Sequence, residues 1–430
     1  MTDSVFNQAR FRKTVNEMPM DVLSSLRNKA ADKFVESGFP TTRHEDWRYT
    51  NLARAISTSN DWLASAELSP HSPTQSAQTI RSAIDAHWIL IQNGNIEFDN
   101  RVFPKGVSVT LLSDKDAEAI VEKVAIDDSL AQLNAALLID GIKISITPGT
   151  ILDKPIGILL DDQAIGNALV TQSRLLIDIQ HDASAQFVEA HVSSGDADNF
   201  SNNVVQIDLD QNATADYVRI QQRARHHINT NTLSVKLAEN ATFSHCSFDF
   251  GGSLVRNEIT ARLHGRNTNV AMNGLYLAGD QQHIDNHTRV DHLVGPSNSD
   301  EEYRGILNGK SRCVFNGKAI VHRGADGTDA NQANHNLLLS PDAEIDTKPE
   351  LEIYADEVKC SHGATVGQLD VAALFYLRSR GLDREEATRL ITRAFASKVL
   401  SLLPVEAAHE YVVGAIDERL DVLIGGGSNE

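Results

Sequence analysis

L-L-I-D-I-Q-H-D-A-S-A-Q-F-V, Leu175–Val188, is the stretch on which the reading of the fold turns. Leu175–Ile179 reads as a strand, Asp182-Ala183-Ser184 as a small polar turn, and Gln186–Val188 as the next strand. The same grammar returns in V-Q-I-D-L-D-Q-N-A-T-A-D-Y-V at Val205–Val218 and in L-S-V-K-L-A-E-N-A-T-F-S-H-C at Leu233–Cys246. It returns once more in I-T-A-R-L-H-G-R-N-T-N-V-A-M at Ile259–Met272. The turn positions Asp182, Asn212, Asn240 and Arg266 stand 30, 28 and 26 residues apart. A strand, a turn, a second strand and a return at this period form one coil of a solenoid. A β-sandwich also spaces its strands evenly, but without one turn signature at a near-constant interval and with more hairpin turns. The chain from Gly141 to about Ile353 therefore reads as a parallel β-helix, right-handed by the crossover rule, burying one line of Val, Ile and Leu. The ends of such a stack need covering, and the flanking helical segments are natural caps.

Outward from this core the expected architecture is mainly β. An N-terminal helical domain with a linker spans 1–85, the β-helix core 86–368 and a C-terminal helical domain 369–430. Met20–Ser37 places Val22, Leu23, Leu26, Ala30 and Phe34 on one helical face, with Gly38 as its C-terminal cap. Phe39–Leu52 carries Trp47 and Tyr49 among alternating charges and reads as a loop anchored by two aromatics against a helix, or as a binding surface. Ser65–Gln78, rich in Ser and Pro, reads as a flexible linker. Trp88–Gln92, the turn Asn93–Asn95 and Ile96–Phe98 form a hairpin. Asp114–Leu138 reads as helical, with Ala117, Ile120, Val121 and Val124 at helical spacing.

At the C-terminus Asp370–Arg380 forms a helix stopped by Gly381, and Asp383 with Glu386 opens another. The second helix has a stripe of Ala387, Leu390, Ile391, Ala394, Phe395 and Val399. Ala407–Ile424 forms a third, and the tail G-G-G-S-N-E is expected to be disordered.

Charge and cysteine usage narrow the function classes. The 430 residues carry 58 acidic against 39 basic side chains, a formal charge of −19, which argues against nucleic acid or an anionic membrane as partner. Cys246, Cys313 and Cys360 are too few and too scattered for a disulfide framework and suit a reducing cytosol. The first twenty residues hold no apolar stretch of signal-peptide length, and no run nears the ~18 apolar residues of a membrane span. A soluble cytoplasmic protein is expected.

The candidate site lies in A-D-E-V-K-C-S-H-G-A-T-V-G, Ala355–Gly367, where the core gives way to the last helices. If Val358–His362 is extended, Cys360 and His362 point to one face and Lys359 and Ser361 to the other. A thiolate and an imidazole suit iron, zinc or copper, but two ligands do not close a metal site. On the residues alone, a small apolar Cys and a hydrogen-bonded His are the default.

Three other motifs bear on whether the chain is an enzyme. G-I-L-N-G-K-S at Gly305–Ser311 has three residues where a P-loop needs four, and the strand-like Arg312–Val321 follows it, so this chain binds no nucleotide there. His283 and His287 have the helical i, i+4 spacing, with His292 beyond, yet Ile284 stands where a zinc protease carries its Glu. Asp285, Asp291 and Asp300 make a β-helix carbohydrate lyase or hydrolase conceivable, on fold analogy alone.

Longer motifs decide between these readings. V-F-N-G-K-A-I-V (Val314–Val321), N-Q-A-N-H-N-L-L-L-S (Asn331–Ser340), K-P-E-L-E-I-Y-A-D-E-V-K-C-S-H-G-A-T-V-G (Lys348–Gly367) and L-F-Y-L-R-S-R-G-L (Leu374–Leu382) lie in one order along the chain. Together they resemble the SufB/SufD family of iron–sulfur cluster assembly proteins, the last two being most like its SufD-type members. R-H-E-D-W-R-Y-T (Arg43–Thr50) is similar to the family's early motif. The resemblance implies a non-catalytic scaffold that pairs with SufB through the β-helix and binds the SufC ATPase through the C-terminal helices. It implies His362 as a ligand for iron or a transient cluster shared with SufB, with Cys360 beside it as ligand or structural residue. It maps SufC contact to Phe375, Tyr376, Arg378 and Arg380. The sulfur-accepting cysteine of SufB has no counterpart here, and no flavin fingerprint is present. Self-association of the isolated chain, the route by which iron enters and the cluster's acceptors are left open.

Overall fold

The computed structural model describes residues 5–66, 71–114 and 124–425. Its body is a parallel β-solenoid. Strands β1 (His87–Gln92), β2 (Asn95–Glu97) and β3 (Val107–Leu111) close one end. Sixteen further strands follow, from β4 (Ile142–Ile146) and β5 (Ile156–Ala164) to β18 (Glu344–Ile353) and β19 (Lys359–Gln368). Even-numbered strands from β4 to β18, with β3, form one sheet, and odd-numbered strands from β5 to β19, with β1 and β2, form the other, in about eight coils. Pairing from β4 onward is parallel and in register, so a position on one strand stacks on the matching position one coil away. The closing hairpin turns at Asn93 and Gly94, both with positive φ, as the N-G turn requires.

The coil corner has a physical cause. Asp182, Asn212, Asn240 and Asn267 hold φ of 59, 58, 59 and 57°, a region that short Asx side chains tolerate. Their side chains form a ladder: Asn212 donates to Asp182 at 2.7 Å, Asn240 to Asn212 at 2.9 Å and Asn267 to Asn240 at 3.1 Å. The fourth corner is thus Asn267 and not Arg266, because the left-handed backbone selects an amide.

The lumen is half apolar and half polar, not lined by aliphatics throughout. One edge of each coil contributes Ile177, Ile207, Val235, Ala261, Phe187 and Phe243 to a continuous apolar core. The other half carries a stacked asparagine row, Asn203, Asn231, Asn257 and Asn286, joined by donations of 3.1, 2.8 and 2.7 Å. Asp162 and Arg223 pair there at 2.6 Å, fully buried.

The helices cover faces rather than ends, which corrects the capping expectation. Arg384–Leu400 and His409–Gly425 bury Val188, Val218, Cys246, Leu275 and Ile306 on the outer face of the odd-numbered sheet. Ala53–Trp62, Ser24–Ser37 and Ser129–Ala136 belong to a second cluster, with Val170, Phe200 and Ile228 of the other sheet. Those outer rows are too apolar to stand in water, so they claim the helices.

Several local expectations shift. Met20–Ser37 is helical only from Ser24, with Gly38 as its cap at φ 67°. Gln75–Ala83, partly inside the expected linker, is a helix capped by Thr74, while 67–70 lie outside the described residues. Of the expected helix at 114–138 only Ser129–Ala136 is seen as one; Ala117, Ile120 and Val121 lie outside the described residues, as does the tail after Gly425. In Arg384–Leu400 the buried stripe is Ala387, Thr388, Thr392, Ala396 and Val399, and Leu390 is exposed. Asp383 and Glu386 form the expected capping box. No helix among the described residues is long and apolar enough to cross a membrane.

Candidate functional site

The last coil is unfinished. No residue of β18 or β19 is buried, although the lumen rows of the coils from β4 to β17 are, because among the described residues no coil lies beyond them. Ala330, Gln332, Asn334 and Asn336 are the buried, lumen-facing positions of β17 (Asp329–Leu338). The register sets Cys360 over Ala330, His362 over Gln332 and Ala364 over Asn334. Cys360 and His362 therefore share one face, as alternation requires, and that face continues the lumen wall at its open mouth. The His362 side chain is exposed and, among the described residues, makes no hydrogen bond or ion pair. Cys360 is half-buried, and desolvation raises its thiol pKa, with the Ala330 backbone opposing and Asp329 adding to the rise. Ser361, on the outer face, donates to Asn331 at 2.6 Å.

Just inside the mouth lies a polar floor that the sequence reading missed. Glu301, on β15 (Ser297–Leu307), is registered with Gln332 and buried without a cationic partner. Thr288 Oγ1 donates to it at 2.7 Å and Gln332 Nε2 at 3.1 Å, and burial pushes its carboxyl pKa up to about 7. Deeper, His245 Nδ1 contacts the Tyr217 carbonyl at 3.0 Å, and desolvation lowers the His245 pKa to about 3, so the ring is neutral. The available signal was the fall of His245, Glu301 and Gln332 at coil-matched positions, interrupted by Met272 and hidden by the ordinary strand alternation. Among the described residues no group of three or more His, Cys, Asp or Glu side chains is placed to hold a metal, so Cys360 and His362 are an incomplete set by themselves.

The competing motifs resolve into structural parts. His283–His292 is strand β14, so His283, Asp285 and His287 share its outer face. Asp285 is buried against Arg256, accepts from Thr50 and sits 3.1 Å from His287; the nearby Arg256 and His287 charges hold its carboxyl well below the ordinary range despite burial. Arg256 also lies over the Trp47 ring at 4.3 Å, and Arg312 over Tyr49 at 5.6 Å. The early aromatic motif is thus pinned to the solenoid, and Trp47 also packs against the cluster that contains the N-terminal helices. Asp291 is held by Arg289 and His322, and Asp300 lies on the other sheet beside Asn331, so the three carboxylates do not converge. Gly305–Ser311 ends β15, turns at Gly309 with φ 64° and enters β16 (Arg312–Val321), leaving no phosphate-wrapping loop or helix.

Phe375, Tyr376, Arg378 and Arg380 sit on the helix Val371–Ser379 or at its C-cap, all exposed. Asp370 caps it by accepting from the Ala372 amide at 2.8 Å, and Gly381 ends it at φ 98°. This helix buries none of its residues, and Phe375 is 74% exposed with Val371 at 77%. Arg380 lies over the Tyr376 ring at 5.2 Å.

Two family profiles and several curated proteins are similar to this chain. The family profile described as SUF system FeS cluster assembly, SufBD core domain, matches residues 162–395, and that of the SufBD protein N-terminal region matches 4–158. The chain is 33% identical over 401 residues to the iron–sulfur cluster assembly protein SufD of Escherichia coli, covering 90% of this chain and 91% of the relative. It is 28% identical to an iron–sulfur cluster assembly SufBD family protein of Synechocystis (89% and 88% covered) and 24% identical to SufD of Bacillus subtilis (93% and 94%).

Proposed function

We infer the function from one premise: this chain belongs to the SufBD family of the SUF iron–sulfur cluster assembly system. As a SufD-like assembly protein it acts as a scaffold in the cytoplasm, pairing through its open solenoid end with a SufB-type sister chain. The nascent cluster is the cargo of that joint face. The His362 imidazole supplies one ligand and Cys360 stands beside it as a second or as packing, while the sister chain completes the set. The carrying observation is the unfinished coil: two soft donors on the lumen face of a terminal strand whose outer edge pairs with no other strand among the described residues.

A SufC-type ATPase docks on Val371–Ser379, where Phe375, Tyr376, Arg378 and Arg380 offer an apolar and cationic surface that no part of the fold requires. Nucleotide hydrolysis then belongs to that subunit.

The test is reconstitution with SufB-type and SufC-type partners, followed by iron and sulfide analysis. The His362→Ala variant is expected to fold and assemble normally but to retain markedly less iron and sulfide. Wild-type iron and sulfide content in that variant contradicts the assignment.

A further inference from the structure

A ligating imidazole must be aimed, and the coil beneath His362 contains a group suited to aim it. We propose that Gln332 is a positioning residue for His362, its side-chain carbonyl accepting the proton of one ring nitrogen so that the other faces incoming metal. This inference rests on the reading of His362 as a ligand.

Three observations carry it. Glu301, Gln332 and His362 occupy one in-register row on the lumen face of three consecutive strands, each about 4.8 Å from the next. The Gln332 amide is anchored from below, because Nε2 donates to Glu301 at 3.1 Å; Gln332 is only 4% exposed, and its Oε1 is buried and accepts no hydrogen bond. Across the lumen, Gly317 leaves the space the amide fills: a Cβ there would lie 2.2 Å from Gln332 Nε2 and 2.6 Å from its Cδ.

The chemistry follows from donor and acceptor counts. A neutral imidazole has one N–H and one lone pair, and the hydrogen bond made by the N–H decides which nitrogen is free to bind. Metal-bound histidines are commonly oriented through that second nitrogen by a carbonyl or carboxylate. With its nitrogen committed to Glu301, the Gln332 amide has only its oxygen left to offer, and His362 is the residue registered above it with no other partner. A buried orphan acceptor is costly; in the structure neither group has taken a partner, and a turn of the His362 ring onto Gln332 Oε1 would satisfy both.

The experiment uses the full-length chain with 15N-labelled histidine, assigning His362 by loss of its signals in His362→Ala. Long-range 1H–15N spectra read the tautomer directly. Wild type is expected to hold His362 in one dominant tautomer. Gln332→Met, which keeps length and packing but removes the acceptor, is expected to shift the His362 nitrogens toward the averaged values of a free imidazole. The other histidine signals report that the fold is kept. Gly317→Ala, which displaces the same amide from the opposite strand, is expected to act in the same direction and serves if Gln332→Met folds poorly. In the reconstituted complex, Gln332→Met is expected to weaken iron retention by about 10-fold.

His362 nitrogen shifts that are the same in wild type and in both variants overturn the proposal. If His362→Ala lowers iron content while these shifts stay constant, only the positioning role falls. If the shifts move but His362→Ala leaves iron content unchanged, the ligand assignment falls and the pairing stands.

Discussion

At the residue scale, the mouth of the lumen sets a neutral-range carboxyl against ordinary stability. Glu301 has no cation beside it, and burial lifts its pKa from 4.5 to about 7. Between those values the folded chain holds a proton that the unfolded chain releases, so stability falls as pH rises through the window and is flat above it. Glu301→Gln keeps acceptors for Thr288 and Gln332 and removes the charge. It is expected to stabilise the chain by on the order of 3 kcal/mol at pH 8, with the gain vanishing below pH 4.5. Denaturant titrations at the two pH values measure this, and an equal effect at both contradicts the assignment of a buried, unpaired carboxylate. Cys360 and His362 were legible as a same-face pair because strand alternation needs only the spacing of two. Glu301 and Gln332 were not, because their partnership is set by register across coils and not by distance along the chain.

At the element scale, the repeat was readable because every corner demands the same left-handed residue, and short amides announce it. Arg266 was chosen over Asn267 because spacing alone does not tell which neighbour takes the positive φ. Asn212→Ala removes both the amide of the ladder and a residue suited to φ 58°, and is expected to cost about 1–2 kcal/mol in equilibrium unfolding. An unchanged midpoint contradicts the corner argument. The helical segments were legible as helices but not as face covers, since an amphipathic stripe does not name the surface it meets. Val371–Ser379 differs from its neighbours in burying nothing. Phe375→Asp is therefore expected to leave stability within about 0.5 kcal/mol of wild type while abolishing capture by a SufC-type ATPase. Retained ATPase binding contradicts the docking proposal. Removing the whole C-terminal region is a poorer probe, because Arg384–Leu400 and His409–Gly425 bury the outer face of the odd-numbered sheet.

At the scale of the whole molecule, the solenoid is closed at one end and open at the other. Hairpin strands β1 and β2, with antiparallel β3, finish the first coils, whereas among the described residues β18 and β19 leave their outer edges unpaired. An exposed sheet edge recruits strands, and proteins ordinarily blunt one that has no partner. Here the edge carries Cys360 and His362, and the polar lumen behind it runs to the same mouth. The charge of −19, the stacked-coil class and an incomplete ligand pair at the end of the stack were evident from sequence; that the helices leave this end uncovered was not, because period tells where coils repeat and not whether the last one is covered. Hydrogen exchange on the β18 and β19 amides, measured with and without a SufB-type sister chain, tests the central claim most directly. Protection confined to Glu344–Ile353 and Lys359–Gln368 on complex formation is the predicted result, and exchange at those amides unchanged by a bound sister chain contradicts it.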